Sequence, residues 1–510
     1  MTTTLLRNGH IHTPDHPNAT ALLVTDDRIS WLGDPADIAP TGPDEVDHVV
    51  ELDGALVTPA FVDAHVHSTS TGIALQGLDL SDTRSLAECL ERVATFTRRT
   101  RGRVILGHGW DETTWPEHRP PTRQELDRAS YGGVVYLSRI DVHSAVVSSA
   151  LLAAAPEARA SVGFLDSGHV STEAHHVVRR VARESVGPDQ RRTAQRATRR
   201  RAAELGIGSL HELGGPDITS EEDFRAMLAL AADEPGPDVV GYWGELGGAE
   251  RARELGALGA AGDLFADGAI GSHTACLRSV YADDDQSGHA YLTAAQVRDH
   301  VAACTEAGVQ AGFHAIGDCA LDAVTAGFRE AAERVGAEAI QRARHRIEHV
   351  EMVDAAMIAT LADLGVVASV QPAFDRLWGG EDGMYVERLG ADRARTLNPF
   401  AEMAAGGVAL ALGSDSPVTP LDPWGTVRAA ARHRTPGQSL SVSAAFAAHT
   451  AGGWHAAHVD GGVLRVGSAA TFAVWTGLTG PGLPALEPDD ELPACRLTVV
   501  RGSTIYDAAG

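Results

Sequence analysis

Pro59-Ala-Phe-Val-Asp63-Ala-His65-Val-His67 is the stretch whose reading decides the fold. A short apolar run ends in two histidines one residue apart. Side chains alternate along a strand, so both imidazoles leave the same face. The pattern alone is weak: 23 histidines in 510 residues give about one His-x-His by chance. A second copy, His10-Ile-His12, is followed by turn-like residues and is read as having no function. His65 and His67 differ by position, because they close a strand that opens a long alternating region.

Working outward, runs of strand length recur at Ala60–Ala64, Val104–Leu106, Val134–Leu137, Ile207–Leu210, Val239–Tyr242, Leu264–Ala266, Val309–Phe313, Val366–Val370 and Val408–Leu412. Helical stretches such as Arg191–Leu205, Ala294–Ala307 and Ala320–Val335 separate most of them. Repeated strand–helix alternation means a mostly parallel sheet. With eight or more units the expected fold is α/β, a (β/α)8 TIM barrel. Its catalytic face is the C-terminal end of the strands, and His65 and His67 point there. The segment of about 80–190 has the weakest helical pattern and is read as an insertion. The two ends carry short strands at Leu22–Val24, Ile29–Leu32, Val463–Val466, Thr471–Trp475 and Leu497–Val500. They are expected to form one small composite β-sandwich domain from residues 1–58 and 459–510, with the barrel at 59–458 between them.

Composition narrows the chemistry. Every one of the 42 basic residues is arginine and the chain contains no lysine. Schiff-base enzymes, Walker A phosphate loops and Ser-Lys hydrolases are therefore excluded. No G-x-S-x-G pentapeptide occurs, which argues against a Ser-His-Asp esterase. The net charge of −26 disfavours nucleic acid and anionic membranes as partners. No apolar stretch has the length of a membrane span and no signal peptide is visible. Five cysteines without a C-x-x-C pair point to a reducing compartment, so a cytoplasmic location is expected. The expected partner is a small-molecule substrate, and the sequence leaves a homodimer open.

Three further motifs end later strands: Val309-Gln-Ala-Gly-Phe-His314, Arg344-His-Arg-Ile-Glu-His349 and Val408-Ala-Leu-Ala-Leu-Gly-Ser-Asp415. Together with His65 and His67 they place four imidazoles and a carboxylate at strand ends of one domain. That donor set suits zinc with room for a water.

These residues carry a resemblance. The chain resembles the amidohydrolase superfamily, in particular its YtcJ-like branch (amidohydrolase family 3), whose relatives include N-substituted formamide deformylases. The matching segments are Leu5-Leu-Arg-Asn-Gly-His-Ile, Gly54-Ala-Leu-Val-Thr-Pro-Ala-Phe-Val-Asp-Ala-His-Val-His, Leu264-Phe-Ala-Asp-Gly-Ala-Ile-Gly-Ser-His-Thr-Ala, His314-Ala-Ile-Gly-Asp, Arg346-Ile-Glu-His and Gly413-Ser-Asp-Ser-Pro, in order along nearly the whole chain. The resemblance implies metal-binding roles for His65, His67, His314, His349 and Asp415. It makes Asp415 the acceptor of the attacking water's proton and its donor to the leaving amine.

Two positions depart from the family pattern. Ala60 stands for a usual glycine, a small change. Asp263 stands where many relatives carry a lysine, carboxylated by CO2, that bridges two metals. Without lysine no carbamate can form. One zinc on the histidines and Asp415 is the favoured arrangement, two are admitted, and Asp263 is a further ligand with Glu212 and Asp267 as substitutes. His273 or His211 is expected to steady the oxyanion, and Asp318 to orient a neighbour. Trp110, Trp115, Trp378 and Trp424 are candidates to roof the site. The implied reaction is hydrolysis of a C–N, amide-type bond, with an N-substituted formamide or N-acyl amine as substrate. The alternative is a catalytically degraded barrel that binds a small molecule or regulates a partner.

Overall fold

The computed structural model describes residues 2–34, 36, 46–100, 104–477 and 482–509. Eight strands form its central sheet: β1 (Phe61–Val66), β2 (Ile207–Gly214), β3 (Asp238–Trp243), β4 (Gly259–Ala260), β5 (Gln310–Ala315), β6 (Arg346–His349), β7 (Val367–Val370) and β8 (Leu410–Leu412). They lie in chain order and every neighbouring pair is parallel. The ends meet just beyond β8. The Asp415 amide donates to the His65 carbonyl at 2.8 Å, and the His67 amide donates to the Ser416 carbonyl at 3.0 Å. The sheet is thus a TIM barrel, with helices such as Ala294–Ala307, Asp318–Val335 and Ala355–Asp363 packed outside it. Helices cover the outer face while side chains fill the inside, so the strands are buried on both faces and read as near-continuous apolar runs.

Two expected strands are absent. Leu264–Ala266 is not a strand, because β4 ends at Ala260 and the chain turns at Gly262, whose φ of +93° favours glycine. Phe265 keeps a single bridge to His314. Val463–Val466 is also irregular, although Leu464 is buried in the core of the terminal sandwich.

That sandwich has two sheets. One pairs Arg28–Gly33, Ala21–Thr25, Thr3–Arg7 and His48–Glu51; the other joins His10–Ile11 and Leu56–Pro59 to Phe472–Thr476, Ala494–Val500 and Ser503–Asp507. Leu22, Ile29, Val57, Phe472 and Val474 meet between them, so both chain ends share one core.

Between β1 and β2 the chain leaves the barrel after helix Ser68–Gln76 and returns in helix Pro188–Glu204. The intervening segment forms its own sheet of Leu78–Asp79, Ile105–Trp110, Val135–Arg139, Ser144–Val147 and His169–Ser171, followed by helix Thr172–Glu184. Trp110 and Trp115 are buried in its core, with their indole N–H groups on the Leu137 and Thr83 carbonyls, so neither roofs the site. The departing and returning helices touch at Gly72, where a Cβ would lie 1.9 Å from the Ala194 carbonyl oxygen. Gly72→Ala is expected to cost about 1–3 kcal/mol through overpacking. A lowered apparent melting temperature would show it; an unchanged one would mean that the two helices are free to separate.

Candidate metal centre

Six side chains from five strand ends converge. His65 and His67 come from the end of β1, Asp263 from the loop after β4, His314 from β5, His349 from the end of β6 and Asp415 from beyond β8. All but His67 are less than a tenth exposed. Asp263 is the hub. Its Oδ2 lies 3.0 Å from His67 Nε2, and its Oδ1 lies 3.6 Å from His65 Nε2, 3.6 Å from His314 Nδ1 and 3.8 Å from His349 Nε2. Asp415 Oδ1 sits 3.3 Å from His65 Nε2 and 3.2 Å from His67 Nε2.

The backbone explains how so short a side chain reaches the middle. The turn at Gly262 brings residue 263 inward. Gly244 lets it approach, since a Cβ there would stand 2.8 Å from the Leu264 nitrogen and 2.9 Å from the Asp263 carbonyl carbon. Two other members sit on left-handed backbone, His349 at φ 73° and Asp415 at φ 53°. Such residues cost about 1–3 kcal/mol each and persist where the surroundings over-determine them, as at functional sites.

The donor set fits a divalent cation. His65 Nε2 and Asp263 Oδ1 are buried polar atoms with no hydrogen-bond partner, and an orphan of that kind needs a physical account. Ligand atoms group within 4.8 Å as His65, His67 and Asp263, as His65, His349 and Asp415, and as Asp263, His314 and His349. Burial works to lower the pKa of His65 and His67, yet the two carboxylates raise both, His67 to about 9. Burial likewise works to raise Asp263 and Asp415, but the imidazoles hold both below the usual carboxylate range. The field at the centre therefore attracts positive charge.

Outer hydrogen bonds orient the imidazoles. His65 Nδ1 meets Glu348 Oε2 at 2.9 Å, His67 Nδ1 donates to the Leu213 carbonyl at 2.9 Å, and His349 Nδ1 donates to Gln371 Oε1 at 2.8 Å. Each leaves Nε2 aimed at the carboxylates, the arrangement by which such partners fix a ligand's tautomer. Glu348 is held by Arg346, whose Nε and Nη2 donate to it at 2.5 and 2.9 Å. Burial would raise the Glu348 pKa, but Arg346 and His65 bring it down to about 2.

The remaining candidates lie elsewhere. His211 faces the barrel interior and accepts from Arg346 Nη1 at 3.1 Å; burial, with Arg346 beside it, puts its pKa well below the ordinary value. His273 pairs with Asp283 at 2.9 Å, against Tyr281. Neither joins the cluster. The Glu212 carboxylate accepts from the Ser68 amide, and Asp267 takes the amides of Cys276, Ile316 and Gly317, so both serve the backbone. Asp318 caps the Arg278 and Cys319 amides rather than a histidine. Trp424 packs among Phe61, Phe446 and Trp475, and only Trp378 of the four tryptophans lines a cavity at the centre.

Sequence reasoning missed what the inserted segment contributes. His143 lies beside the cluster, its ring 5.3 Å from that of His314, and burial followed by repulsion from His314 lowers its pKa to about 3. Arg179 and Arg183 line the same cavity as His67, Asp263, His314, His349 and Asp415. His143 follows the apolar run Val134–Leu137, so the strand-end logic applied to His314 would have found it. The arginines carry no such signal in an arginine-rich helix.

A parallel barrel with clustered imidazoles and carboxylates at its C-terminal mouth defines a metal-dependent hydrolase. The chain belongs to the amidohydrolase family, which its sequence matches over residues 48–506. It is 26% identical to YtcJ of Bacillus subtilis (strain 168), covering 90% of each chain. It is 23% identical to the N-substituted formamide deformylase of Arthrobacter pascens, over 81% of this chain and 80% of that one. Among solved structures, an uncharacterized metal-dependent hydrolase of Pyrococcus furiosus superposes with a TM-score of 0.72 at 26% identity, covering 92% of this chain and 98% of that one.

Glu348→Gln is expected to weaken metal affinity about 10- to 100-fold by loosening His65. It also leaves Arg346 without its counter-charge, at about 3–5 kcal/mol. Competition with a chromophoric chelator measures the first effect and thermal unfolding the second; native affinity in a stable variant would free His65 from dependence on Glu348.

Proposed function

We propose that this protein hydrolyses a C–N bond of amide type in a small N-acyl or N-formyl amine, using zinc held by His65, His67, His314, His349, Asp263 and Asp415. One observation carries the reading: the Asp263 carboxylate faces all four imidazoles at once. Its Oδ2 lies by His67 and its Oδ1 by His65, His314 and His349, so Asp263, at the position of the relatives' lysine, would help to hold metal on either side, and two metal positions are favoured over one. The likeness to a formamide deformylase supports the amide bond and the small acyl group.

Zinc bound there would supply an activated water and would polarise the scissile carbonyl. Asp415, within 3.3 Å of both β1 histidines, takes the water proton and returns it to the leaving nitrogen. His143, kept uncharged at neutral pH by burial and by His314, lines the cavity at the cluster and would steady the carbonyl oxygen in place of His211 and His273. The partner is a small molecule rather than nucleic acid or membrane, given the net charge of −26. No helix among the described residues is long and apolar enough to cross a membrane. All five cysteines are free, which fits the cytoplasm.

Elemental analysis of chelator-free protein is expected to find about two zinc per chain, and about one or none in Asp263→Ala. A wild-type value of one would return Asp263 to a minor ligand. Release of amine from N-formyl and N-acetyl amines is expected to fall about 100-fold or more in Asp415→Asn and in His65→Ala. Protein that neither contains nor takes up metal would instead be a binding or regulatory barrel.

A further inference from the structure

The cavity over the metal centre has a second charged feature. Arg179 and Arg183 stand one turn apart on helix Thr172–Glu184 and both face it. Arg179 is 8% exposed and its Nε is buried without a partner. Nη2 of Arg179 and Nη1 of Arg183 both donate to the same acceptor, the Asp217 backbone carbonyl. Among the described residues no carboxylate lies within ion-pair distance of either guanidinium.

Arg139 and Arg346, both buried, are compensated: Arg139 has Asp111, Glu112 and Asp141 around it, and Arg346 has Glu348. Arg199 also has an unpartnered Nε and only carbonyl acceptors, but it does not line the metal cavity. The acidic groups near Arg179 and Arg183 are committed elsewhere: Asp223 to Arg191, Gln195 and Thr219, Glu212 to the Ser68 amide, and Asp217 turns its carboxylate towards His176 at 3.9 Å. Like charges four residues apart on a helix repel, and burial together with Arg179 lowers the Arg183 pKa to about 9. Arg179 is thus a buried cation without a counter-charge, and such a cation is costly unless an anion completes it. Guanidinium is the group that holds a carboxylate in two-pronged fashion.

Position says what the anion belongs to. The metal cavity shares His67, Ser70, Arg183 and Ile218 with a larger cavity of about 310 Å³, walled in part by Ile73, Val177 and Ile218. A molecule with its C–N bond at Asp263 and Asp415 passes the arginines before its remainder reaches these apolar walls. We infer that Arg179 and Arg183 bind a carboxylate of the substrate, which makes the substrate class an N-acyl amino acid with an apolar side chain. This rests on the amide-hydrolase reading for the scissile bond, though not for the anion seat.

Calorimetry with N-acetylphenylalanine and its uncharged primary amide, N-acetylphenylalaninamide, tests it on metal-free and zinc-loaded protein. The acid is expected to bind about 10- to 100-fold more tightly than the amide in both forms, as losing charged hydrogen bonds requires. Arg179→Gln and Arg183→Gln are expected to abolish that preference, and Arg179→Lys to restore part of it. Arg183 is partly exposed, so its variant keeps the test open where Arg179→Gln fails to fold. Equal binding of the two probes, no binding of either, or a preference that survives both variants would overturn the inference. An arginine-dependent preference without any turnover would sink the hydrolase reading and leave the seat standing. Turnover of acid and amide at the same rate would do the reverse.

Discussion

Closure of the barrel between β1 and the chain beyond β8 is the constraint on which the rest of the structure depends. Residues 65 and 415 are 350 positions apart, and the hydrogen bond from the Asp415 amide to the His65 carbonyl makes them neighbours. Asp63 reinforces it, taking the Ser414 amide on Oδ1 at 2.9 Å. One backbone seam thereby brings the His65 and His67 imidazoles against the Asp415 carboxylate. The other histidines come from the neighbouring strands β5 and β6: the register pairs His314 with Glu348, and His349, one residue on, sits on left-handed backbone at the strand's end.

Concentrating charge at that mouth requires a second layer deep in the barrel. The Arg346–Glu348 pair lies beneath His65, with Arg346 also on the Ala64 carbonyl, on Ser369 and against the Tyr242 ring. A buried ion pair is worth little by itself against the loss of hydration. Here it does something an apolar pair could not: it delivers an ionised carboxylate to His65 Nδ1 and so leaves Nε2 bare on the metal side. His211 belongs to this layer, with its Nδ1 on Arg346, which explains why a histidine on a barrel strand is absent from the chemistry.

Much of this was legible in the sequence because strand ends are legible. An apolar run stopping at His65, His314 or Asp415 announces both the strand and the direction of its last side chain. Asp263 was marked by its place in the Lys-like pattern Gly262-Asp-Leu-Phe-Ala-Asp-Gly, but its central position was not, since that depends on a backbone turn at Gly262 and on the space left by Gly244. The expected strand at Leu264–Ala266 failed for the same reason: apolar content there serves packing around His314 rather than sheet pairing. Trp110 and Trp115 illustrate a different limit. An indole looks the same in sequence whether it closes a site or fills the core of an inserted segment, and burial decides between them.

The division of labour in the molecule also follows from physics. Metal-binding groups need positions fixed to a fraction of an ångström, and a closed barrel supplies them through paired strands. Substrate recognition has to vary without disturbing those positions, which favours elements attached to the barrel rather than built into it. The segment between helices Ser68–Gln76 and Pro188–Glu204 is attached in that sense, with its own sheet and its own cores. It reaches back to the mouth with His143 on one loop and with Arg179 and Arg183 on one helix. Those three residues belong to no barrel strand, and all face the cluster. A chain with no lysine has only arginine and protonated histidine to offer as side-chain cations, so the positive side of the pocket is written in guanidinium, the group whose geometry matches a carboxylate best.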